Sequence, residues 1–406
     1  MRLSDYAVGK DNNFTLLRLL AAMMVVFAHS FAVLGLPWVP DVFLDRTGRS
    51  FGQMCLDMLF VTSGFLVTAS LLNRGDLIEY CWARALRLFP ALWVMLLATV
   101  FVLAPMVTAL STADYFRSPQ MWEYLWKCGT VLGGIRWSLP GVFEAMPLKG
   151  EFNGSLWTLP VEAKMYVYGA VAWIALAFAP AFRVTALRIV SPIVAAVLGA
   201  NLARIRLTGG TFSSSDIAIF MWFYGSALYY WRDKIPTSWG TFAALLAIPA
   251  LATVNKNAAF VVYLICMAPL VLHLAYLPAG FIRKYNAFGD YSYGVYIYAF
   301  PMQQTLAHLI PGISLVALVG GSAAGSFVAA GLSWHFIEKR ALSLKHECAQ
   351  ATERALDRVL AKFRAAIHRE GFARVSSQRA STVDATAHRR LQTAADRETE
   401  SRPMAN

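Results

Sequence analysis

Residues 14–36 read FTLLRLLAAMMVVFAHSFAVLGL. A helix needs about 20 mostly apolar residues to cross the roughly 30 Å hydrocarbon layer of a bilayer, and this stretch is long enough. Its only ionisable residues are Arg18 and His29, and it runs into Pro37 without the small-residue cleavage site of a secretory signal. The stretch is therefore predicted to be a retained membrane-spanning helix.

The rest of the chain has the same apolar character. Of its 406 residues, 57% are hydrophobic and 15% are charged, whereas soluble domains are roughly 45–50% apolar and about 25% charged. This composition excludes an ordinary soluble protein, and its aromatic content excludes a disordered chain. The sequence predicts an all-α integral membrane protein with about ten transmembrane helices. The other nine windows are approximately 53–72, 88–110, 156–178, 187–203, 215–231, 238–255, 258–277, 291–310 and 313–337.

The net charge of +12 is better explained by a membrane surface than by nucleic acid, which is not an expected partner. With the N-terminus in the cytoplasm, 14 Lys and Arg residues fall on the cytoplasmic side and 9 on the other side. The chain is therefore predicted to be a multi-pass protein of the cell's inner membrane with both termini cytoplasmic. The five cysteines are scattered without metal-ligand spacing, so no metal site and no disulfide framework are predicted.

Four segments follow from these patterns. Residues 1–13 are predicted to be a cytoplasmic N-terminus, and residues 14–340 form the membrane domain. Residues 341–375 contain apolar residues at helical spacing among basic ones, which predicts a basic amphipathic helix, either lying on the inner leaflet or solvated without a partner. Residues 376–406 lack apolar periodicity and are predicted to be disordered.

Ionisable residues inside the predicted spans are candidates for function, because each costs about 2.5–3.5 kcal/mol to insert. Arg18 and His29 are eleven residues apart, which places them on one helical face about 16 Å apart along the axis. Arg18 lies near the inner end, where it could instead extend to the membrane surface. His29 lies deeper, where it is either a structural histidine or a catalytic one.

Two acidic residues are candidates to orient His29. Asp57 lies in the second window and Glu162 near the start of the fourth. A carboxylate beside an imidazole holds it in one tautomer and stabilises its protonated form. The alternative for Asp57 is an ion pair that fixes the helix register. In the same window, Ser63-Gly64 indicates close helix packing rather than a nucleophile.

Arg84 and Arg87 lie three residues apart just before the third span. Guanidinium groups bind phosphates through paired hydrogen bonds, so the two residues could clamp a phosphate-bearing ligand on the cytoplasmic side. The alternative is that they are ordinary basic residues which fix the topology.

Taken together, these residues resemble the membrane-bound acyltransferase-3 family over approximately residues 12–340. The resemblance covers six motifs in the family's order. They are Arg18 with His29, Asp57 with 60–66, Arg84-x-x-Arg87 with Pro90, Ser155-Leu156-Trp157 with Glu162, 291–296 with Pro301, and 336–339.

The resemblance implies an acyltransferase that O-acylates, usually O-acetylates, an extracytoplasmic glycan or glycolipid with cytoplasmic acyl-CoA as donor. By position, Arg18 and His29 match the arginine and essential histidine of the family's first span. Arg84 and Arg87 match the inner arginine motif associated with the acyl-CoA donor. The chain departs from the family at Ala299, where many members have a second histidine, and no G-x-S-x-G elbow or appended hydrolase-like domain is found.

These observations give one mechanistic hypothesis and one alternative. In the hypothesis, Arg18, Arg84 and Arg87 bind acyl-CoA, and His29 acts as general base on a sugar hydroxyl or, alternatively, carries the acyl group. Asp57 or Glu162 orients the histidine. Aromatic residues of the outer loop 111–155 either stack on the acceptor sugar or anchor the loop at the interface. The alternative function is a transporter or flippase of a glycolipid or acyl compound, with the same polar residues lining a pathway.

Overall fold

The computed structural model describes residues 1–9, 11–37, 42–131, 133–252 and 255–363. Within these ranges the protein is helical and contains no β-strand. Its β-type pairings are isolated bridges, such as the one between Thr108 and Val142. Ten helices in these ranges each overlap one of the ten predicted windows, but the third begins at Leu77, eleven residues before its window. They are α1 (Phe14–Val33), α2 (Phe51–Arg74), α3 (Leu77–Ala98), α4 (Thr158–Ala175), α5 (Pro180–Leu207), α6 (Ser214–Tyr230), α7 (Trp239–Ala252), α8 (Lys256–Tyr276), α9 (Ser292–Leu309) and α10 (Leu315–Ser333).

Shorter elements connect these helices. A π-helical turn, Thr99–Leu103, and the short helix Ala104–Val107 extend α3, and a second π-helical turn, Trp334–Glu338, extends α10 into Lys339–Ser343. The remaining short helices are Leu3–Tyr6, Val42–Thr47, Thr112–Arg117 and Pro119–Thr130, with 3-10 turns at Gly154–Trp157 and Gly280–Ala287.

Six of the described helices are long and apolar enough to cross a membrane: α1, α2, α3 with its extension, α5, α8 and the helical stretch that begins at Leu315. Helix α7 is apolar but has only 14 residues. These helices indicate a membrane protein, as the sequence predicts.

Local sequence sets the boundaries of the α2–α3 pair. Ser50 caps α2, since its hydroxyl accepts a hydrogen bond from the Gln53 amide (3.3 Å) while the Gln53 side chain accepts one from the Ser50 amide (3.0 Å). Helix α2 ends at Gly75, whose φ of 67° suits glycine. Asp76 then caps α3 by accepting a hydrogen bond from the Ile78 amide (2.8 Å).

Helices α2 and α6 pack with their backbones in close contact. A Cβ atom at Gly64 would lie 2.0 Å from the Trp222 carbonyl oxygen, and one at Gly225 would lie 2.3 Å from the Val61 carbonyl oxygen. Thr68 donates a hydrogen bond to Ser226 across the same contact (2.7 Å). Glycine is therefore required at both positions, and the Ser63-Gly64 pair lies where the sequence predicts close helix packing.

Two of the buried clusters hold most of the bundle together. One joins α1, α3, α9 and the segment between α3 and α4, and the other joins α2, α4, α6 and α8. Helix α9 packs against both α1 and α10. It approaches α10 closely, because a Cβ atom at Gly294 would lie 2.7 Å from the Cβ of Ala330.

Residues 1–345 form one compact unit, and the chain from His346 onward forms a second. In the second unit, residues 346–363 are helical, with exposed Leu356, Val359, Leu360 and Phe363 among basic residues. The rest of the predicted 341–375 helix and the predicted disordered segment 376–406 lie outside the described residues.

Candidate functional site

A cavity of about 400 Å³ lies among α1, α2, α3, α4 and the start of α9. Four of the six residues selected from the sequence line it: Arg18, Arg84, Arg87 and Glu162. Its other lining residues include Leu56, Leu59, Phe60, Ser63, Leu66, Val67, Leu88, Thr158, Leu159, Tyr166, Asp290, Ser292, Tyr293, Tyr296, Trp334 and Lys345.

Asp290, at the start of α9, joins Arg18 and Arg87. One of its carboxylate oxygens accepts hydrogen bonds from both guanidinium groups, at 2.9 Å from Arg18 and 2.6 Å from Arg87. Burial by itself would raise the pKa of Asp290, but the charges of Arg18 and Arg87 and hydrogen bonds from Ser292 lower it to about 2. The carboxylate is therefore ionised at physiological pH, and Arg18 is held in the bundle by an ion pair.

Arg87 has a second acidic partner in Glu338. The two side chains are 3.4 Å apart, and the Ser333 hydroxyl donates a further hydrogen bond to Glu338 (3.0 Å). The Arg87 guanidinium also lies over the Tyr293 ring, 5.6 Å from its centroid. Arg87 therefore ties α3 to the ends of α9 and α10, and its charge is balanced within the protein by two carboxylates.

Arg84 differs from Arg87 in having no acidic partner among the described residues. Its guanidinium lies over the Tyr166 ring at 5.6 Å, and its buried Nε has no hydrogen-bond acceptor among those residues. A guanidinium in a cavity with an unused donor can bind an anionic ligand. Of the two arginines predicted to clamp a phosphate, Arg84 is the one whose charge is not already neutralised by an acidic side chain.

Glu162 lies on the cavity wall beside Tyr166, the residue whose ring lies under Arg84. Its carboxylate accepts hydrogen bonds from the hydroxyls of Ser63 (3.3 Å) and Tyr166. The hydrogen bond expected between Glu162 and His29 is not present. Glu162 belongs to the arginine-lined cavity.

Asp57 is bound by Arg49 and Tyr263. The Arg49 guanidinium donates to both carboxylate oxygens (2.7 and 3.1 Å), and the Tyr263 hydroxyl donates a third hydrogen bond (2.5 Å). Both charged side chains are almost fully buried, at 3% and 1% exposure. Asp57 was expected to orient His29, but the two residues form no hydrogen bond. Arg49 and Tyr263 bind the Asp57 carboxylate instead. The alternative, an ion pair that fixes the packing of α2, describes the observed geometry.

His29 lies on α1, outside the lining of the cavity. Its half-buried ring packs edge to face on Phe300 of α9, with ring centroids 5.2 Å apart, and it forms no hydrogen bond with the described residues. Tyr296 precedes Phe300 by one helical turn and lines the cavity. The imidazole is therefore about one turn of α9 beyond the cavity and has both nitrogens unused.

Within the part of the chain that the structure describes, no group of three or more His, Cys, Asp or Glu side chains could hold a metal ion. The site consists of the arginine-lined cavity and the histidine beyond it.

The chain is similar to known proteins along most of its length. The model of acyltransferase family 3, described as an acyltransferase domain, matches residues 11–336. An O-acetyl transferase of Shigella phage Sf6 is 28% identical over 361 residues, which cover 82% of this chain and 97% of the relative. Nodulation protein 10 of Rhizobium leguminosarum bv. viciae is 28% identical over 375 residues, covering 84% and 96%. No solved structure matches significantly.

Proposed function

Because the chain belongs to acyltransferase family 3 and is an acyltransferase, we propose that it transfers an acetyl group from cytoplasmic acetyl-CoA, or another acyl group from its acyl-CoA, to a hydroxyl of an extracytoplasmic glycan or glycolipid. The observation that carries this proposal is the cavity, with cationic side chains at one end and a histidine one helical turn beyond the other. The name of the phage relative supports acetyl as the transferred group.

The distribution of polarity in the cavity fits an acyl-CoA donor. Arg18, Arg84 and Arg87 lie near the starts of α1 and α3, at the end where Asp290 enters α9. Leu56 of α2, Thr158 and Leu159 at the start of α4, and Tyr296 one turn into α9 line the opposite end, which is apolar apart from tyrosine and threonine hydroxyls. Phosphates of the donor would bind at the arginine end, and its pantetheine arm and acyl group would extend toward the apolar end.

The predicted topology is consistent with this orientation. Counting basic residues in the loops places the starts of α1, α3 and α9 at the cytoplasmic face, where acyl-CoA is found. The proposal therefore retains ten spans, both termini in the cytoplasm and an inner-membrane location. An acceptor would reach His29 from the opposite side of the bilayer.

In the proposed reaction, His29 removes the proton from the acceptor hydroxyl while its oxygen attacks the thioester carbonyl carbon. The new O–C bond forms, the C–S bond breaks, and the thiolate of CoA takes the proton back from the imidazolium. The products are the O-acyl glycan and free CoA. A histidine suits this role because an imidazole nitrogen can accept the proton from the hydroxyl and then release it to the leaving thiolate.

Arg84→Ala is expected to weaken binding of acetyl-CoA to the purified protein about 10- to 100-fold, because a hydrogen bond to a charged group contributes about 1.5–3 kcal/mol. The dissociation constant can be measured by isothermal titration calorimetry in detergent. Arg183→Ala is the matched control, since Arg183 also lies over an aromatic ring, Trp173 at 4.4 Å, but does not line the cavity. An unchanged constant in Arg84→Ala would argue that Arg84 only fixes the topology.

A further inference from the structure

Both carboxylates selected from the sequence have partners away from His29. Arg49 and Tyr263 bind Asp57, and Ser63 and Tyr166 bind Glu162. A histidine that takes a proton in an apolar bundle becomes a cation, and an uncompensated cation there is costly. Another acidic group beside the imidazole would offset this cost.

Glu151 is the candidate for this role, because its carboxylate lies beside the aromatic ring that His29 contacts. A Cβ atom at Gly154 would lie 2.7 Å from Cζ of Phe300 and 3.0 Å from Oε2 of Glu151. The Phe300 ring and the Glu151 carboxylate thus approach the same point of the backbone, and the Phe300 ring also packs on the His29 ring, at 5.2 Å between centroids. Glycine at 154 leaves the space that this packing needs.

Two adjacent glutamines of α9 hold these segments together. The Gln303 side chain donates hydrogen bonds to Val26 O and Ser30 Oγ, both at 2.6 Å, in the turn of α1 that contains His29. The Gln304 side chain donates to the main-chain oxygens of Glu151 (2.8 Å) and Leu148 (3.2 Å). Both glutamines are fully buried. Helix α9 therefore fixes the His29 turn on one side and the Glu151 loop on the other.

The Glu151 carboxylate is half-buried and makes no hydrogen bond or ion pair with the described residues. Asp57, Glu162, Asp290 and Glu338 each have such partners. Burial raises the pKa of Glu151, because no cation compensates for the loss of water around the carboxylate. A positive charge formed nearby would be stabilised by this carboxylate.

We propose that Glu151 is the positioning residue for His29: its carboxylate stabilises the imidazolium that forms when the acceptor hydroxyl loses its proton. This inference rests on the proposed function, in which His29 is the general base. It assigns a role to a loop residue between α3 and α4, where the sequence offered only Asp57 and Glu162 as partners. The other charged or titratable groups on segments packed near this end of α1 include Asp57, held by Arg49; Cys55 on α2; Tyr296 on α9; His308, packed on Phe143; and the exposed Glu144 and Lys149, while α10 carries none.

The test is the pH dependence of acetyl-CoA hydrolysis by the purified full-length protein, followed through release of the CoA thiol. A general base is active when deprotonated, so the rate rises with pH through the pKa of His29. A nearby carboxylate raises that pKa, and its removal lowers it. Glu151→Gln is therefore expected to move the acidic limb of the profile about one pH unit lower and to reduce the plateau rate at least about tenfold.

Two further variants separate charge from structure. Glu151→Asp keeps the carboxylate and is expected to retain the acidic limb of the wild type, while Glu144→Gln removes an exposed carboxylate of the same loop and should change nothing. Gln304 binds the main chain of Glu151, so the side-chain substitutions leave that anchor in place. A Glu151→Gln profile with an unmoved acidic limb would overturn the inference. Absence of any acetyl-CoA cleavage by the wild type would instead contradict the proposed function.

Discussion

Replacement of His29 by alanine is expected to reduce acyl transfer by about 10²- to 10⁴-fold, the usual contribution of a general base. The imidazole has no hydrogen-bond partner among the described residues, and it packs edge to face on Phe300. Its removal therefore leaves no buried donor or acceptor unpaired, and the bundle should remain folded. The measurement is transfer of labelled acetyl from acetyl-CoA to surface glycan in membranes that contain equal amounts of each variant.

His308→Ala is the matched control for this experiment. His308 lies on α9 and packs edge to face on Phe143, with centroids 5.4 Å apart, so it resembles His29 in contact geometry but not in its place beside the cavity. It should retain transfer close to that of the wild type. Near-normal transfer by a well-expressed His29→Ala protein would remove His29 from the mechanism.

Asp57→Ala is expected to destabilise the protein by about 3–5 kcal/mol, because it leaves the buried Arg49 guanidinium without its counter-ion. Thermal unfolding in detergent, compared with the wild type under identical conditions, measures the loss. Asp45→Ala is the control: Asp45 also pairs with a basic residue, Lys256, but both side chains are exposed, and exposed pairs contribute little.

The double variant Arg49→Met with Asp57→Leu should recover much of the stability, since it replaces both charges by apolar groups.

The same variants separate a structural from a catalytic Asp57. In our account, the double variant regains acyl transfer as it regains stability, because the pair acts only through packing. A double variant that folds with wild-type stability but transfers no acyl group would show that Asp57 takes part in the chemistry.

Much of the helical layout could be predicted, because membrane spans depend on local apolar length. The stretch 14–36 predicts α1, which runs from Phe14 to Val33, and Ser63-Gly64 predicts the close α2–α6 contact. The spacing of Arg84 and Arg87 predicts that both lie on one helical face, and both line the cavity. Their different environments could not be predicted, since Asp290 and Glu338 are 203 and 251 residues from Arg87 in sequence.

The partners of the carboxylates were equally hard to predict, because they too depend on tertiary contacts. Asp57 was recognised as a buried charge in need of a partner, but Arg49 precedes α2 and could be assigned to a loop as an ordinary basic residue. Glu151 lies between α3 and α4, where a charged residue is ordinary and gives no sign of function. Only the packing of α9 places its carboxylate beside Phe300, the ring that His29 also contacts. Tertiary contacts of this kind leave no periodic signal along the chain.

The central claim is that the protein acylates a glycan and that His29 is required for it. Mass spectrometry of surface glycans and glycolipids tests it directly, in cells with the gene deleted and then restored as wild type or as His29→Ala. The account predicts that deletion removes an acetyl group that only the wild type restores, and the modified species identifies the acceptor. If the glycans keep every acyl group but fail to reach the surface, the protein is a transporter of the glycan and the account is contradicted.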